Sequence, residues 1–215
     1  MGYDGHVEPD GSWQDRTDGP VFIRKLSVEE MDNNVYVVAC VRTKQALLVD
    51  AAARPERLRE AIEGFDVAAI VQTHGHWDHV RAWEALATGP GLPVWGHPGD
   101  ANLFPARLDR DLEHGEVLQV GDLEVEVLHT PGHTPGSLQY LAHGDDRPHL
   151  LTGDSLFPGG PGRTTPETFG QLMDELEAKV FDRLPDNTWI YPGHGDDTTI
   201  GAERPSLAEW RARGW

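Results

Sequence analysis

Four potential metal ligands fall within six residues in the run Thr73-His74-Gly75-His76-Trp77-Asp78-His79. A regular helix would scatter these side chains around its circumference, and a regular strand would split them between two faces, so only a loop can converge them. Gly75 keeps a small, conformationally free position between two imidazoles. Imidazole nitrogen combined with carboxylate oxygen suits Zn²⁺, Fe or Mn²⁺ better than metals that seek thiolate. The competing reading is a histidine-rich turn formed by coincidence. Three later positions count against it: His133 in HTPGHTPGS, Asp154 in LLTGDSLF and His194 in YPGHGDD. Each is a His or Asp in a Gly/Pro-framed loop directly after a predicted strand. Taken singly they read as a turn histidine, an Asp ending a strand and an exposed loop histidine. Jointly those readings become improbable.

The elements that must deliver these loops alternate along the chain. VFIRKLSV, NVYVVACVR and QALLVD read as strands rich in Val, Ile, Leu or aromatics, the last ending at Asp50. RPERLREAIEGF has apolar residues at helical spacing with Gly64 placed to stop it, and VAAIVQT returns as a buried-type strand, which makes a β-α-β unit. Next come a helix in VRAWEALAT, a short strand and turn in LPVWGHPGD, and two alternating strands in EVLQVGDLEVEVLHT around Gly121-Asp122. SLQYLA and HLLTGD are further strands. TTPETFGQLMDELEAKVFDRL reads as a helix with Thr165 as N-cap and Pro166 at N1. TWIYPGHG is a strand ending in a loop, and SLAEWRARGW a short amphipathic helix. Residues 1–20 read as an irregular or partly disordered leader, and 21–215 as one folded domain. The order predicts an α/β fold of two sheets covered by helices on the outside.

Composition narrows the function classes. With 38% hydrophobic residues, seven Trp and a quarter of residues charged, the 215-residue chain can bury a sizeable core. Its 36 acidic against 18 basic residues give a formal charge of -18, which repels nucleic-acid phosphates and anionic membrane surfaces. A small-molecule substrate is expected instead, and an anionic one needs a local cation such as a bound metal. No stretch approaches the roughly 18 apolar residues of a membrane span, and the opening segment has no basic or apolar signal region, so a cytoplasmic location is expected. The single Cys40 lies in an apolar strand and reads as buried.

The series Asp50, His74-x-His76-x-Asp78-His79, His133, Asp154 and His194 resembles the metallo-β-lactamase superfamily from about Val21 onward. The resemblance implies a four-layer αβ/βα sandwich of two mixed sheets with helices outside. It implies one metal on His74, His76 and His133, a second on Asp78, His79 and His194, and Asp154 bridging, with Asp78 and Asp154 as the catalytic carboxylates. Two divalent ions, zinc in the first instance and Fe or Mn as alternatives, would stand roughly 3.5–4 Å apart and pull the pKa of a bridging water toward about 7. Asp50 resembles the superfamily's Asp that orients an imidazole or the motif loop without touching metal. TPGHTPGS with GDSLFPGGPGR is most similar to the glyoxalase II (hydroxyacylglutathione hydrolase) branch, and Asp154 stands where a true β-lactamase is expected to carry Cys.

The chain departs from that branch in two places. Full-length glyoxalase II is expected to carry a further C-terminal helical domain for the glutathione moiety, whereas this chain stops about twenty residues after His194 and resembles the short, single-domain proteins. Val80-Arg81-Ala82 replaces the usual Gly-Gly after the histidine motif. Arg163 either meets a substrate carboxylate or ties down the glycine loop, and Trp77 is either a pocket wall or a packed aromatic. His129 reads as a packed or orienting histidine, and His6, His97, His114, His143 and His149 as structural.

The leading expectation is a two-metal hydrolase of a small acyl thioester. A persulfide dioxygenase with one iron on His74, His133 and Asp154 is the second reading, disfavoured because Gly162-Arg163-Thr164-Thr165-Pro166 does not reproduce that family's Gly-Arg-Thr-Asp-Phe. Lactone hydrolysis is a third reading. A metal-binding module without catalysis is the last, and no ligand of the series is missing as it would require. Oligomeric state has no signature in the sequence.

Overall fold

A computed structural model describes residues 3–214. The chain runs through β1 (Gln14–Asp18), β2 (Val21–Val28), β3 (Asn33–Cys40), β4 (Gln45–Val49), α1 (Pro55–Ala61), β5 (Asp66–Val71), α2 (Trp83–Thr88), β6 (Val94–Gly96) and β7 (Arg110–Asp111). These seven strands form one sheet in sequential order, antiparallel from β1 to β4 and parallel from β4 to β7. The second half contributes β8 (Val117–Val120), β9 (Leu123–His129), β10 (Leu138–His143), β11 (Pro148–Gly153), the small hairpin β12 (Leu156–Phe157) and β13 (Gly160–Pro161), α3 (Pro166–Leu176), β14 (Trp189–Pro192), β15 (Thr198–Thr199), α4 (Ile200–Glu203) and α5 (Leu207–Arg213). Here the sheet order is β15-β14-β11-β10-β9-β8, with β14 parallel to β11 and the remaining pairs antiparallel.

Three apolar layers hold the sheets and helices together, as two-faced sheets require. Between the sheets, Ile23, Val38, Leu47 and Val71 meet Val125, Val127, Tyr140 and Leu151. The outer face of the first sheet is covered by Leu58 of α1 and Trp83 and Leu86 of α2. The outer face of the second is covered by Leu172, Met173 and Leu176 of α3 with Trp210 of α5. This is the expected four-layer αβ/βα sandwich of two mixed sheets. Among the described residues no helix is long and apolar enough to cross a membrane.

Three local expectations are corrected. The segment read as an irregular leader contains β1, which pairs along its whole length with β2, so the first sheet begins at Gln14 rather than near Val21. Its QDRTD sequence lacks an apolar alternation, consistent with the charged residues that blunt an exposed sheet edge. Residues 1 and 2 lie outside the described residues. The long helix after Thr165 keeps α-geometry only to Leu176 and widens into a π-helical turn over Glu177–Phe181. The final helix ends at Arg213, and Trp215 lies outside the described residues.

The topology gathers the chemistry at one end. β4 runs parallel to β5, and β9, β11 and β14 run in one direction in the other sheet. Asp50, the histidine motif, His133, Asp154 and His194 all follow the carboxyl ends of these strands. The sheets are joined there by backbone hydrogen bonds from Leu138 N to Thr73 O (2.7 Å) and from Asn34 N to Gly193 O (2.7 Å).

Candidate metal centre

The motif loop is fixed from behind by Asp50. This residue adopts a left-handed φ of +64°, a region Asp tolerates better than most side chains, and its carboxylate is buried. Oδ1 accepts the N–H of Thr73 at 2.7 Å, and Oδ2 accepts the Thr73 hydroxyl at 2.8 Å and Nδ1–H of His79 at 2.8 Å. One carboxylate therefore grips both ends of the loop. Because the Thr73 hydroxyl donates to Asp50, its oxygen accepts from Nδ1 of His74 at 3.0 Å. His133 donates Nδ1–H to the Arg163 carbonyl and His194 donates Nδ1–H to the Met31 carbonyl, both at 2.7 Å. All four rings thereby have Nδ1 engaged, which leaves Nε2 as the atom each can offer to a metal.

Those ring atoms face one another, together with Nδ1 of His76. Nε2 of His74 and Nε2 of His133 lie 3.1 and 3.0 Å from Nδ1 of His76. Nε2 of His79 lies 3.1 Å from Nε2 of His194, and Oδ2 of Asp78 is 3.6 and 3.4 Å from these two atoms. Asp154 stands between the clusters, with Oδ1 3.5 Å from His79 Nε2 and Oδ2 3.5 Å from both His133 Nε2 and His194 Nε2. Its Oδ1 is buried without a hydrogen-bond partner among the described residues. Unprotonated nitrogens at such separations repel unless a proton or a metal cation sits between them. Two nitrogens on one tetrahedral ion at 2.0–2.1 Å would stand about 3.3 Å apart, so the donor set and its spacing fit a metal.

The electrostatics show the same unmet demand for positive charge. Burial, followed by the neighbouring His79, pushes His74 well below the ordinary imidazole value, and burial lowers His76. Burial also opposes ionisation of Asp78 and Asp154, yet the surrounding histidines hold both far below the usual carboxylate range. His79 is raised, because Asp154 and Asp50 outweigh its burial. His194 is likewise pushed up to about 10 by Asp154 and Asp78 against its burial. Two ionised carboxylates thus draw cationic charge into a buried, histidine-lined site.

A family model described as the metallo-β-lactamase superfamily matches residues 28–194, from the end of β2 through the last histidine of the series. The chain belongs to the metallo-β-lactamase superfamily. Hydroxyacylglutathione hydrolase GloC of Haemophilus influenzae is 35% identical over 185 residues, covering 76% of this chain and 86% of that protein. A mouse hydroxyacylglutathione hydrolase-like protein is 39% identical over 169 residues, 76% of this chain but only 58% of the mouse protein's length. A protein solved in a di-iron-bound form superposes with a TM-score of 0.70 at 29% identity, covering 84% of this chain and 96% of its own.

Several side chains around this metallo-β-lactamase site stand where spacing alone could not place them. The Arg163 side chain is exposed, and it is the backbone carbonyl of Arg163 that contacts His133. His129 faces away from the ligands, stacked on His97 with ring centroids 3.8 Å apart and Nε2 bonded to the Pro135 carbonyl. His149 is a buried structural residue between Tyr191 and Asp18. Trp77 is 60% exposed and lines an open groove of about 540 Å³ with Met31 and Arg81, whose guanidinium lies 4.9 Å from the indole. Arg81 also pairs with Glu29, so the residue standing in place of the usual glycine links the motif to the β2–β3 turn.

Asn33, which carries no motif in the sequence, is fully buried and donates Nδ2–H to Asp78 Oδ2 at 3.0 Å. The only hint is a pair of asparagines opening an otherwise apolar strand.

Proposed function

We propose that this metallo-hydrolase holds two divalent metal ions, zinc in the first instance, and cleaves a small acyl thioester as the hydroxyacylglutathione hydrolase-like relatives' names suggest. His74, His76 and His133 would hold one ion and Asp78, His79 and His194 the other, with Asp154 shared. The observation that carries the reading is the set of imidazole nitrogens converging at 3.0–3.1 Å beside the unpartnered Asp154 oxygen.

Two such cations supply a water of pKa near about 7 and polarise a carbonyl. The chain's own residues do the positioning. Asp50, Thr73 and the Arg163 and Met31 carbonyls engage Nδ1 of four histidines, so it is Nε2 of each ring that is turned toward the metal position. Asn33 donates to one oxygen of Asp78 and so limits how that carboxylate can turn. A thiolate leaving group has a pKa low enough to depart with little proton assistance, so the proposed ester class needs no separate acid. Asp78 and Asp154 are the carboxylates closest to the reacting atoms in this reading.

The test is elemental mass spectrometry of protein purified without added metal, followed by a thioester panel with Asp154→Ala as control. Two equivalents of zinc, or zinc mixed with iron or manganese, together with hydrolysis lost in Asp154→Ala, support the proposal. One equivalent of iron and no thioesterase activity would overturn it in favour of a mononuclear site on His74, His133 and Asp154.

A further inference from the structure

Asp100 closes the turn of Pro98–Asp100 that follows β6, and it is only 1% exposed. Its Oδ2 accepts the N–H of Gly75 at 2.9 Å and the hydroxyl of Thr134 at 2.7 Å, while Oδ1 accepts the N–H of Gly136 at 2.7 Å. Gly75 separates His74 from His76, and Thr134 follows His133. A single buried carboxylate therefore spans the two loops that bring Nε2 of His74 and Nε2 of His133 to 3.1 and 3.0 Å from Nδ1 of His76.

Both glycines are required by this approach. A Cβ on Gly75 would stand 2.6 Å from Cβ of Leu103, and one on Gly136 would stand 2.7 Å from the Asp100 carboxyl carbon. All three donors are neutral, so the carboxylate is satisfied by hydrogen bonds rather than by a counter-ion. An ionised carboxylate accepts at both oxygens, whereas an amide turns an N–H toward one of the donors. The other half of the site has its own supports, Asp50 for His79 and the Met31 carbonyl for His194.

We propose that Asp100 is a positioning residue for the His74, His76 and His133 half of the centre, holding the motif loop and the His133 loop in register. The inference rests on reading that half as a metal site, and it separates the two halves by what supports them.

The test is a cobalt(II) titration of metal-stripped protein, followed by visible ligand-field absorption, in the wild type, Asp100→Asn and Thr134→Val. His133→Ala and His194→Ala serve as references for the two halves. Asp100→Asn is expected to weaken one of two binding steps by about 10–100-fold, the usual effect of losing a support behind a ligand. That step is the one lost in His133→Ala and kept in His194→Ala. Thr134→Val, which removes one of three donors, is expected to fall between wild type and Asp100→Asn, and it carries the measurement if stripped Asp100→Asn does not fold. Equal weakening of both steps, or of neither, overturns the inference. A wild type that binds one equivalent overturns the two-metal reading alone, and Asp100 is then judged by whether its variants weaken that equivalent. A wild type that binds no cobalt overturns both.

Discussion

Oδ2 of Asp50 lies 2.8 Å from Nδ1 of His79, and the same oxygen takes the Thr73 hydroxyl, so the first acidic residue of the motif series fixes the last histidine of the loop. Asp50→Asn keeps a side chain that tolerates the left-handed backbone while removing the charge behind the imidazole. The expected result is a metal affinity lower by about 10–100-fold, with metal-free protein also losing about 1–3 kcal/mol because the amide turns an N–H toward one of the buried donors. Competition against a chromophoric chelator, beside thermal unfolding of the stripped protein, checks both halves of this statement.

Removing metal should also cost stability, because the converging imidazoles and the Asp78 and Asp154 carboxylates then lose the ligand bonds that hold them together. A ligand held at 1,000 times its Kd contributes about 4 kcal/mol, which for a chain of this size corresponds to a fall in Tm of roughly 8–16 °C on chelation. Differential scanning calorimetry with and without chelator measures it, and an unchanged Tm would count against a metal in the native state.

Lys25 is fully buried and completely satisfied: Nζ donates to the carbonyls of Gly5 and Gly195 and to Asp197 Oδ1, at 2.6–2.7 Å. Asp197 Oδ2 takes the Tyr3 hydroxyl and the Trp189 indole N–H. This network straps the opening segment to the loop that carries His194. Lys25→Met leaves a buried carboxylate without its partner and is expected to cost about 3–5 kcal/mol, with Lys25→Met/Asp197→Leu recovering part of the loss. Denaturant unfolding of the three proteins gives the comparison.

The buried pair of His149 and Asp18 predicts the acid response. Burial depresses His149 despite Asp18, and Asp18 is held below its ordinary value by the Asp146 and Arg147 N–H groups and by His149, although burial opposes this. A histidine whose folded pKa is depressed is less protonated folded than unfolded, so stability falls as pH drops through the unfolded value of about 6.5. Asp18 adds a loss only below its unfolded value of about 3.9. His149→Gln should therefore reduce the slope of stability of metal-free protein between pH 7 and 5, with His74 and His76, likewise lowered by burial, keeping their share, while leaving the loss below pH 4. Urea midpoints across that range decide it, and an unaltered slope between pH 7 and 5 would remove His149 as the cause.

Much of the candidate site was legible because its residues come in runs that only a loop can use. His74, His76, Asp78 and His79 share six positions, and His133, Asp154 and His194 each follow a strand within a Gly/Pro frame. Asp100 and Asn33 left no such trace. One closes an ordinary turn and the other opens an apolar strand, and each acquires its role from a partner 25 to 45 positions away in the chain. β1 escaped for a related reason, since its polar residues pair through the backbone, which carries no side-chain pattern.

The amino-acid sequence by itself determined which groups can bind metal and which strands present them, because ligand chemistry and hydrophobic periodicity are local properties of the chain. Only the tertiary structure decided which imidazole nitrogen each ring offers. That choice depends on the Asp50 carboxylate, the Thr73 hydroxyl and the Arg163 and Met31 carbonyls reaching the far side of each ring. Three of these four contacts join residues distant in the chain, and packing the two sheets with their parallel strand ends together is what brings them into reach.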